Sequence, residues 1–194
     1  MARTQAERTA ATRAKLIAAA RALFGARGFA ATSIEELVRE AGVTRGALYH
    51  QFESKEALFE SAFEEVEREL VVASGRAAAR GTDAVDRLRI GCRAFLDACL
   101  DPAVQRIVVL DAPAVLGWDK WKEIEERYAL AVLRGGLEAA MAEGRLRRRP
   151  ADPLAHVVLG ALTEAAMVMA RAPHRSGVRN QVAEEIDGLF DRLT

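Results

Sequence analysis

Hydrogen-bonding side chains gather in one short segment, residues 44–50, where they could bind a nucleic acid. The donors are Thr44, Arg45, Tyr49 and His50, and no carboxylate lies among them. An arginine guanidinium can pair bidentately with the edge of a guanine in the major groove. Gly46 allows the backbone to approach a base, because it has no side chain. We therefore predict that this segment contacts double-stranded DNA.

Five polar residues in and around this segment could hydrogen-bond DNA phosphates: Thr32, Ser33, Tyr49, His50 and Lys55. Hydroxyl groups, ammonium groups and the amide groups at a helix N-terminus all bind phosphate oxygens. Contacts of this kind position a protein on the duplex but do not read its sequence. Base preference is therefore expected from Arg45, and general affinity from the flanking residues.

The elements that position these side chains are helices. Apolar residues recur at spacings of three and four along the chain and no segment alternates as a strand would, which predicts an all-α fold of about nine helices. Thr32 or Ser33 can cap a short second helix. That helix ends at Ala41-Gly42-Val43, and Thr44 starts a third. Two short helices joined by small residues have the form of a helix-turn-helix. Later in the chain, Ala112-Pro113 predicts a helix break.

Four motifs occur at fixed spacing around these helices. They are Phe24-Gly25-Ala26-Arg27-Gly28-Phe29, Ala31-Thr32-Ser33-Ile34, Ala41-Gly42-Val43-Thr44-Arg45-Gly46-Ala47-Leu48-Tyr49 and Phe52-x-x-Lys55. Together they resemble the N-terminal DNA-binding domain of TetR-family transcriptional repressors, over a stretch from about Thr12 to Phe63. The resemblance implies a helix-turn-helix domain at residues 1–53. It also implies a larger helical domain for effector binding and dimerisation at residues 54–194.

The same resemblance implies roles for individual residues. Thr32 would cap the second helix and meet a phosphate, and Lys55 would touch another phosphate. The residues that would face the major groove or its walls are Thr44, Arg45, Gly46, Tyr49 and His50. The family often has a histidine immediately before the phenylalanine of the last motif. Gln51 stands there in this chain and could replace the histidine as a donor.

The charge distribution and the histidines bear on the class of protein. The chain has 28 basic and 28 acidic residues, but residues 1–50 carry eight Lys/Arg and four Asp/Glu, so the predicted DNA-binding end is the basic one. An enzyme is disfavoured, because His50, His156 and His174 have no metal-ligand spacing with Cys, Asp or Glu. No phosphate-cradling glycine loop or nucleophile elbow occurs either. We expect no cofactor and no metal.

The cellular location is predicted from the cysteines and the apolar segments. Cys92 and Cys99 lie seven residues apart in one predicted helix, too far for a disulfide, and the N-terminus has no apolar core that would make a signal peptide. Both features favour the cytoplasm. The apolar stretch from Leu154 to Ala170 falls short of a bilayer core of about 30 Å and contains Glu164. We therefore predict a buried helix of a soluble protein, with no membrane partner.

A small-molecule effector is implied by the resemblance, because family inducers sit between helices of the larger domain and bias the spacing of the DNA-reading heads. The sequence offers large or adaptable side chains for an apolar or aromatic effector. The candidate lining residues are Phe95, Cys99, Trp118, Trp121, Tyr128, Glu164 and Met167. Glu164 lies in an otherwise apolar helix, where it would either contact the ligand or form a structural salt bridge or hydrogen bond.

A homodimer is implied by the family and also by two late apolar helices, at 154–170 and 180–193. Two helices from each subunit would make a four-helix interface. The candidate interface residues are Val158, Leu162, Val182, Ile186, Leu189 and Phe190. The other possibility is that both helices are ordinary monomer core. A two-fold dimer predicts a palindromic operator with half-site centres roughly 34 Å apart or more.

Two alternatives to this interpretation stay open at the level of sequence. One is an architectural protein that binds DNA without sequence preference and without an effector; its binding would depend on salt but would not survive competitor DNA. The other concerns Arg145–Arg149, four arginines in five residues, which could be a second DNA contact but more often would be a solvated loop.

Overall fold

The computed structural model describes residues 4–193, which are mostly helical and contain no β-strand, so the all-α prediction is confirmed. The α-helices are α1 (Gln5–Arg27), α2 (Ile34–Ala41), α3 (Arg45–Gln51), α4 (Lys55–Ala78), α5 (Ala84–Ala98), α6 (Pro102–Val104), α7 (Ala112–Glu125), α8 (Ala131–Ala142), α9 (Ala151–Arg171) and α10 (Arg175–Asp191). Two π-helical stretches, π1 (Gln105–Asp111) and π2 (Glu126–Leu130), connect α6 to α7 and α7 to α8.

The short helices at the N-terminal end begin and end where local chemistry requires it. Ser33 caps α2, because its hydroxyl accepts from the Glu36 amide at 3.2 Å while the Glu36 carboxylate accepts from the Ser33 amide at 2.9 Å. Gly42 ends α2 with φ of 64°, a left-handed conformation that favours glycine. The hydroxyl of Thr44 caps α3 by accepting from the Ala47 amide at 3.2 Å. The cap of α2 is therefore Ser33, and its assignment to Thr32 is wrong.

The chain forms two compact units. The first contains Met1–Val66 and Pro102–Trp118, and the second contains Glu67–Asp101 and Asp119–Thr194. The predicted boundary between residues 53 and 54 falls inside the first unit, which also includes a segment from the middle of the chain.

Aromatic and leucine side chains form the core of the first unit. The rings of Phe24, Phe29 and Phe59 meet with centroids 5.3 to 5.6 Å apart, in tilted or edge-to-face arrangements that aromatic rings prefer. Leu37 of α2 and Leu48 of α3 are fully buried. Burial of one face of each short helix fixes which face is left for solvent.

The segment from Pro102 to Trp118 packs with α1 in the first unit. A Cβ on Gly25 would lie 2.7 Å from the Cβ of Ala103, so glycine is needed there for the close approach. The predicted break at Ala112-Pro113 is wrong, because π1 passes directly into α7. The backbone instead kinks at Gly117, where φ is 74° and ψ is 165°. The amide of Ala112 donates to the carbonyl of Ile107, five residues earlier, and this bond ends π1. Helical structure then continues through Pro113.

The second unit is a bundle in which α5 contacts α8, α9 and α10. Its core includes Leu88, Leu137 and Phe190. Salt bridges join α5 to α10, with the Arg93 Nε donating to the Asp187 carboxylate at 2.8 Å and the Arg179 Nε lying 2.6 Å from the Asp97 carboxylate. These contacts hold α10 against α5.

Helix α9 is long and apolar enough to cross a membrane by length and composition alone, with a mean hydropathy of 1.5 over its most apolar window. Seven of its residues, Ala155, Val158, Leu159, Leu162, Ala165, Ala166 and Met169, are buried in the second unit. This face of α9 therefore belongs to the core of the second unit.

Candidate nucleic-acid interface and effector cavity

The outer face of α3 presents the predicted DNA-contacting groups to solvent. Thr44, Arg45, Gly46, Tyr49 and His50 are all exposed, and 45% of the Tyr49 surface is accessible. On the opposite side, Leu48 is fully buried and Phe52 nearly so, which fixes the rotation of the helix about its axis. The structure therefore brings the five predicted groups together on one exposed surface, here called the α3 surface.

The charged group of the α3 surface is held only by weak contacts. The Arg45 guanidinium pairs with the Glu35 carboxylate at 2.7 Å, and about two-thirds of each side chain is exposed. The same guanidinium carbon lies 5.6 Å from the centroid of the Tyr49 ring. Exposed ion pairs of this kind contribute roughly 0 to 1 kcal/mol. Arg45 can therefore exchange Glu35 for a base or a phosphate at little cost.

The two hydroxyls before α2 have different environments. The Thr32 side chain is buried, and its hydroxyl donates to the Gly28 carbonyl at 2.8 Å, which stabilises the turn between α1 and α2. Ser33 is exposed next to the first turn of α2. The Ser33 amide and hydroxyl, together with the Arg27 guanidinium, lower the pKa of the Glu36 carboxyl to about 2. Of the two hydroxyls, only that of Ser33 lies where a phosphate could reach it.

Lys55, the first residue of α4, was predicted only as a phosphate contact, and its side chain reaches the same turn. Its ammonium group donates to the carbonyls of Phe29 at 3.0 Å and Thr32 at 2.9 Å, and it lies 4.0 Å from the centroid of the Phe29 ring. An ammonium group has three donors. Two of them hold the turn in place, so Lys55 positions the start of α2 whether or not the third meets DNA.

Asp111 is a positioning residue that the sequence analysis missed. Its carboxylate accepts from the Phe29 amide at 2.8 Å, across 82 residues of sequence. The turn between α1 and α2 is thus held by Asp111 on one side and Lys55 on the other. Only the fold brings these two residues to the same turn, so no local signal could have identified Asp111.

The second unit contains an apolar cavity of about 230 Å³. Its walls come from the second half of α4, from α5, from π2 and α8, and from α9. The lining residues are Glu67, Leu70, Val71, Ser74, Gly75, Ala78, Ala84, Arg87, Leu88, Gly91, Cys92, Phe95, Ala129, Val132, Leu133, Gly136, Ala139, Leu159 and Leu162. An enclosure between helices with few polar groups is the usual form of a small-molecule site.

Glu67 is the most unusual residue of the cavity wall. Its side chain is buried, with 4% of its surface accessible, and no described residue donates a hydrogen bond to it. Burial, and to a smaller extent the nearby Glu125 carboxylate, raise the pKa of Glu67 from 4.5 to about 8. Glu125 is itself buried, but Lys122 donates to it at 2.6 Å. Glu67 therefore lacks the protein partner that Glu125 has.

Most of the residues predicted to line an effector pocket lie elsewhere. Phe95 does line the cavity, but Cys99 and Trp121 are packed in the core, and Trp118 is 66% exposed. Tyr128 and Met167 are half-buried outside the cavity wall, and Glu164 is exposed on α9. None of these six residues lines this cavity, because side-chain size does not reveal which face of a helix points to it. Small residues such as Gly91 and Gly136 open the space instead.

Four of the residues predicted for the dimer interface are inside the protomer. Val158, Leu162, Ile186 and Phe190 are buried, and Leu162 lines the cavity, so they cannot form an outward surface. Val182 is half-buried and Leu189 is 38% exposed. The outward apolar residues on α9 are Val157 and Val168, with 64% and 44% of their surfaces accessible. They share a stripe with Glu164, since positions seven and eleven residues apart lie on one helix face.

Comparison with known proteins identifies the family. The profile for bacterial regulatory proteins of the tetR family matches residues 16–62, and the profile for the tetracyclin repressor-like C-terminal domain matches residues 85–193. The chain belongs to the TetR family. Regulators of this family are non-enzymatic DNA-binding transcription factors, so the chain is a transcription regulator with a DNA-binding and a ligand-binding domain.

Individual proteins and solved structures are similar to this chain. A TetR-family transcriptional regulator from Pectobacterium atrosepticum is 32% identical, with a TM-score of 0.85 over 98% of this chain and 97% of that one. The transposon Tn10 TetC protein of Escherichia coli is 24% identical over 158 residues, covering 80% of this chain and 79% of that protein. The regulator FadR of Bacillus subtilis, solved with stearoyl-CoA, shares the fold at 19% identity, with a TM-score of 0.73 over 89% of this chain and 96% of that one.

Proposed function

We propose that this TetR-family regulator is a repressor that binds a palindromic operator as a homodimer and leaves it when a small molecule enters the cavity. The observation that carries the proposal is the α3 surface, which exposes hydrogen-bonding groups while Leu48 and Phe52 anchor the helix from behind. Such a surface fits the major groove, which is wide enough for an α-helix.

The α3 surface divides into base-reading and phosphate-holding groups. Arg45 pairs with a guanine edge after it leaves Glu35, and Gly46 allows close approach of the backbone. The residues that hold phosphates are Ser33, Thr44, Tyr49 and His50. Lys55 and Thr32 act mainly through the turn before α2, because their polar atoms already bond its carbonyls. Specificity then depends on few residues and affinity on many.

A homodimer forms through the outward stripe of α9 and the neighbouring exposed face of α10. Val157, Val168 and Leu189 supply apolar surface that the protomer leaves in solvent. A two-fold dimer has two copies of the α3 surface, one for each of two operator half-sites with centres roughly 34 Å apart or more. An equilibrium mass of two chains at micromolar concentration is the expected result, and a mass near 21 kDa would contradict it.

The cavity of the second unit is the effector site, with Phe95 as its aromatic wall. The FadR structure solved with stearoyl-CoA is one example of a protein of this fold with a small-molecule ligand. The apolar lining favours an apolar or aromatic effector. Buried free thiols at Cys92 and Cys99 are compatible with a reducing cytoplasm as the place of action.

Selection of bound duplexes from a random library tests the proposal. The purified protein should enrich an inverted repeat whose half-sites carry at least one fixed guanine. The rival function, an architectural protein without base preference, predicts that bound and unbound pools have the same sequences. Repetition of the selection with Arg45→Ala should keep the repeat and relax one position in each half-site, because the bidentate pair is lost.

A further inference from the structure

The cavity contains a carboxyl group without a partner. Glu67 lies in its wall, buried, and no described residue supplies a hydrogen bond or a cation to it. Buried carboxylates in proteins are normally paired, because loss of hydration costs several kcal/mol per ion. A ligand that fills the cavity can supply the missing partner.

The acidic and basic groups of the cavity lie at opposite ends. Burial, and to a smaller extent the nearby Glu67 carboxylate, raise the pKa of the Cys99 thiol, so Glu67 lies near Cys99. Cys99 follows Phe95 by one helical turn, which places Glu67 and Phe95 at the same end of the cavity. Arg87 begins the other end of α5, and its guanidinium is already paired with Glu143 at 2.7 Å. Two turns of α5 separate Arg87 from Phe95, about 12 Å along the axis. No described basic side chain of the cavity wall therefore lies at the Glu67 end.

Other titratable groups near Glu67 add negative charge or are already neutralised. Glu125 is paired with Lys122 at 2.6 Å. The electrostatic interaction of His156 is with Glu125 and not with Glu67. The thiols of Cys92 and Cys99 have their pKa values raised to about 12 by burial and stay neutral. An anionic ligand group would meet only acidic groups at this end, whereas a cation would stabilise the ionised form of the Glu67 carboxyl and meet one aromatic ring.

We propose that the effector is a lipophilic cation whose charged nitrogen pairs with Glu67 beside Phe95 while its apolar body fills the rest of the cavity. The inference rests on the proposed role of the cavity as effector site. A cation over an aromatic face gains further attraction when water is excluded. The volume of about 230 Å³ sets the size, since a cavity of about 150 Å³ holds benzene. A benzylic amine or an aryl-substituted quaternary ammonium compound fits this class.

Two probes of equal shape separate charge from size. Benzyltrimethylammonium is a permanent cation, and neopentylbenzene is its uncharged counterpart, with carbon in place of nitrogen. Binding of each is measured by calorimetry on the full chain at about pH 8.5, where Glu67 is largely ionised. The wild-type protein should bind the cation about tenfold or more tightly than the neutral probe.

Three variants assign the effect to residues. Glu67→Gln should weaken cation binding about tenfold to hundredfold and leave neopentylbenzene binding unchanged or stronger. Glu69→Gln, which removes a carboxylate from the exposed side of the same helix, should change neither. Phe95→Leu should reduce the preference for the cation by a smaller factor, because it keeps the apolar wall and removes the ring.

Four results would overturn the proposal. Equal or tighter binding of neopentylbenzene would mean that the cavity selects shape alone. Unchanged cation binding by Glu67→Gln would place the cation elsewhere, and no saturable cation binding at millimolar concentration would exclude the class. In the fourth result, the wild type binds no cation, and Glu67→Gln still binds a neutral ligand that has a carbonyl acceptor. That result would mean that Glu67 acts as a protonated hydrogen-bond donor.

The same probes separate this inference from the proposed function. In one case the cation binds in a Glu67-dependent way but the operator complex stays intact. This result would support the proposed ligand class and contradict the proposal that the ligand releases the operator. Operator release by a neutral compound, without cation binding, would uphold the proposed function and contradict the ligand class.

Discussion

The α3 surface and the cavity use polar groups in opposite ways. On α3 the functional side chains lie in water, and the charge of Arg45 is balanced by an exposed partner that contributes little. In the cavity the carboxyl of Glu67 is buried among apolar side chains, and none of residues 4–193 pairs with it. The first arrangement costs the fold almost nothing. The second costs stability and therefore makes a ligand with the opposite charge bind favourably.

This difference implies that the two sites respond differently to mutation. Loss of a polar group on α3 should change DNA binding and leave stability almost unchanged. Loss of the Glu67 charge should stabilise the fold and abolish recognition of a cation. The four predictions below test this contrast, beginning with the largest effect.

Glu67→Gln should remove a pH-dependent loss of stability. The folded-state pKa of Glu67 lies at about 8, above the ordinary 4.5, so the folded protein binds this proton more tightly than the unfolded chain does. The stability of the wild type relative to Glu67→Gln should be highest below pH 4.5 and fall as the pH rises to about 8. At about 1.4 kcal/mol per pKa unit, the shift from 4.5 to about 8 gives a total change on the order of 5 kcal/mol.

Urea unfolding of both proteins across this pH range measures the effect, since groups that both share cancel in the difference. Glu69→Gln is the matched control and should track the wild type. A constant difference between wild type and Glu67→Gln from pH 4 to 9 would contradict the burial of an unpartnered carboxyl.

The outward stripe of α9 should control assembly. Val157→Arg combined with Val168→Arg places like charges opposite each other in the proposed interface, which costs several kcal/mol, and should weaken the dimer by about a hundredfold or more. Operator affinity should fall with it, because one subunit reads one half-site. Sedimentation equilibrium and operator binding are measured together. Val72→Arg, at another exposed valine, is the control; dissociation by this variant, or intact dimers of the double variant, would argue against the α9 face.

Arg45→Ala should weaken operator binding by about 1 to 3 kcal/mol and relax preference at one base. Its unfolding free energy should stay within about 0.5 kcal/mol of the wild type, because the Glu35 pair is exposed. Arg76→Ala, an exposed arginine of the second unit, should bind the operator as the wild type does. Equal losses of Arg45→Ala on operator and random DNA would mean that Arg45 holds a phosphate.

Ser33→Ala should give the smallest effect, a loss of about 1 kcal/mol in unfolding free energy, because the amide of Glu36 loses its acceptor. Ser33→Thr keeps the acceptor and should stay close to the wild type. Urea unfolding at neutral pH provides the measurement. An unaffected Ser33→Ala protein would show that the capping box does not fix the start of α2.

The first unit could be predicted largely from the sequence because its signals are local. Small residues at Ala41-Gly42-Val43 end one helix and Thr44 caps the next, so the α3 face follows from a few neighbouring positions. Thr32 and Lys55 were predicted to contact phosphates, but the sequence did not reveal their contacts with the turn between α1 and α2. The Thr32 hydroxyl and the Lys55 ammonium group donate to backbone carbonyls of that turn. A pattern of residue types alone does not reveal such contacts.

The second unit could not be predicted at the level of its site. Glu67 is one of several glutamates in α4, and nothing in the sequence shows that it is buried while its neighbours are exposed. Conversely, Glu164 drew attention because its helix is apolar, yet it lies on the outward stripe. Which face of each helix turns inward depends on packing between α4, α5, α8 and α9, and that packing is not encoded in any single segment.

The most direct test of sequence-specific DNA binding is fluorescence anisotropy on the selected inverted repeat, or on the duplex directly upstream of the gene, with excess random competitor at near-physiological salt. We expect nanomolar binding that survives the competitor. The affinity for this duplex should exceed that for a duplex with scrambled half-sites by about a thousandfold or more. Equal affinity for the two duplexes, or complete loss of binding to competitor, would contradict a regulator that reads its operator through α3.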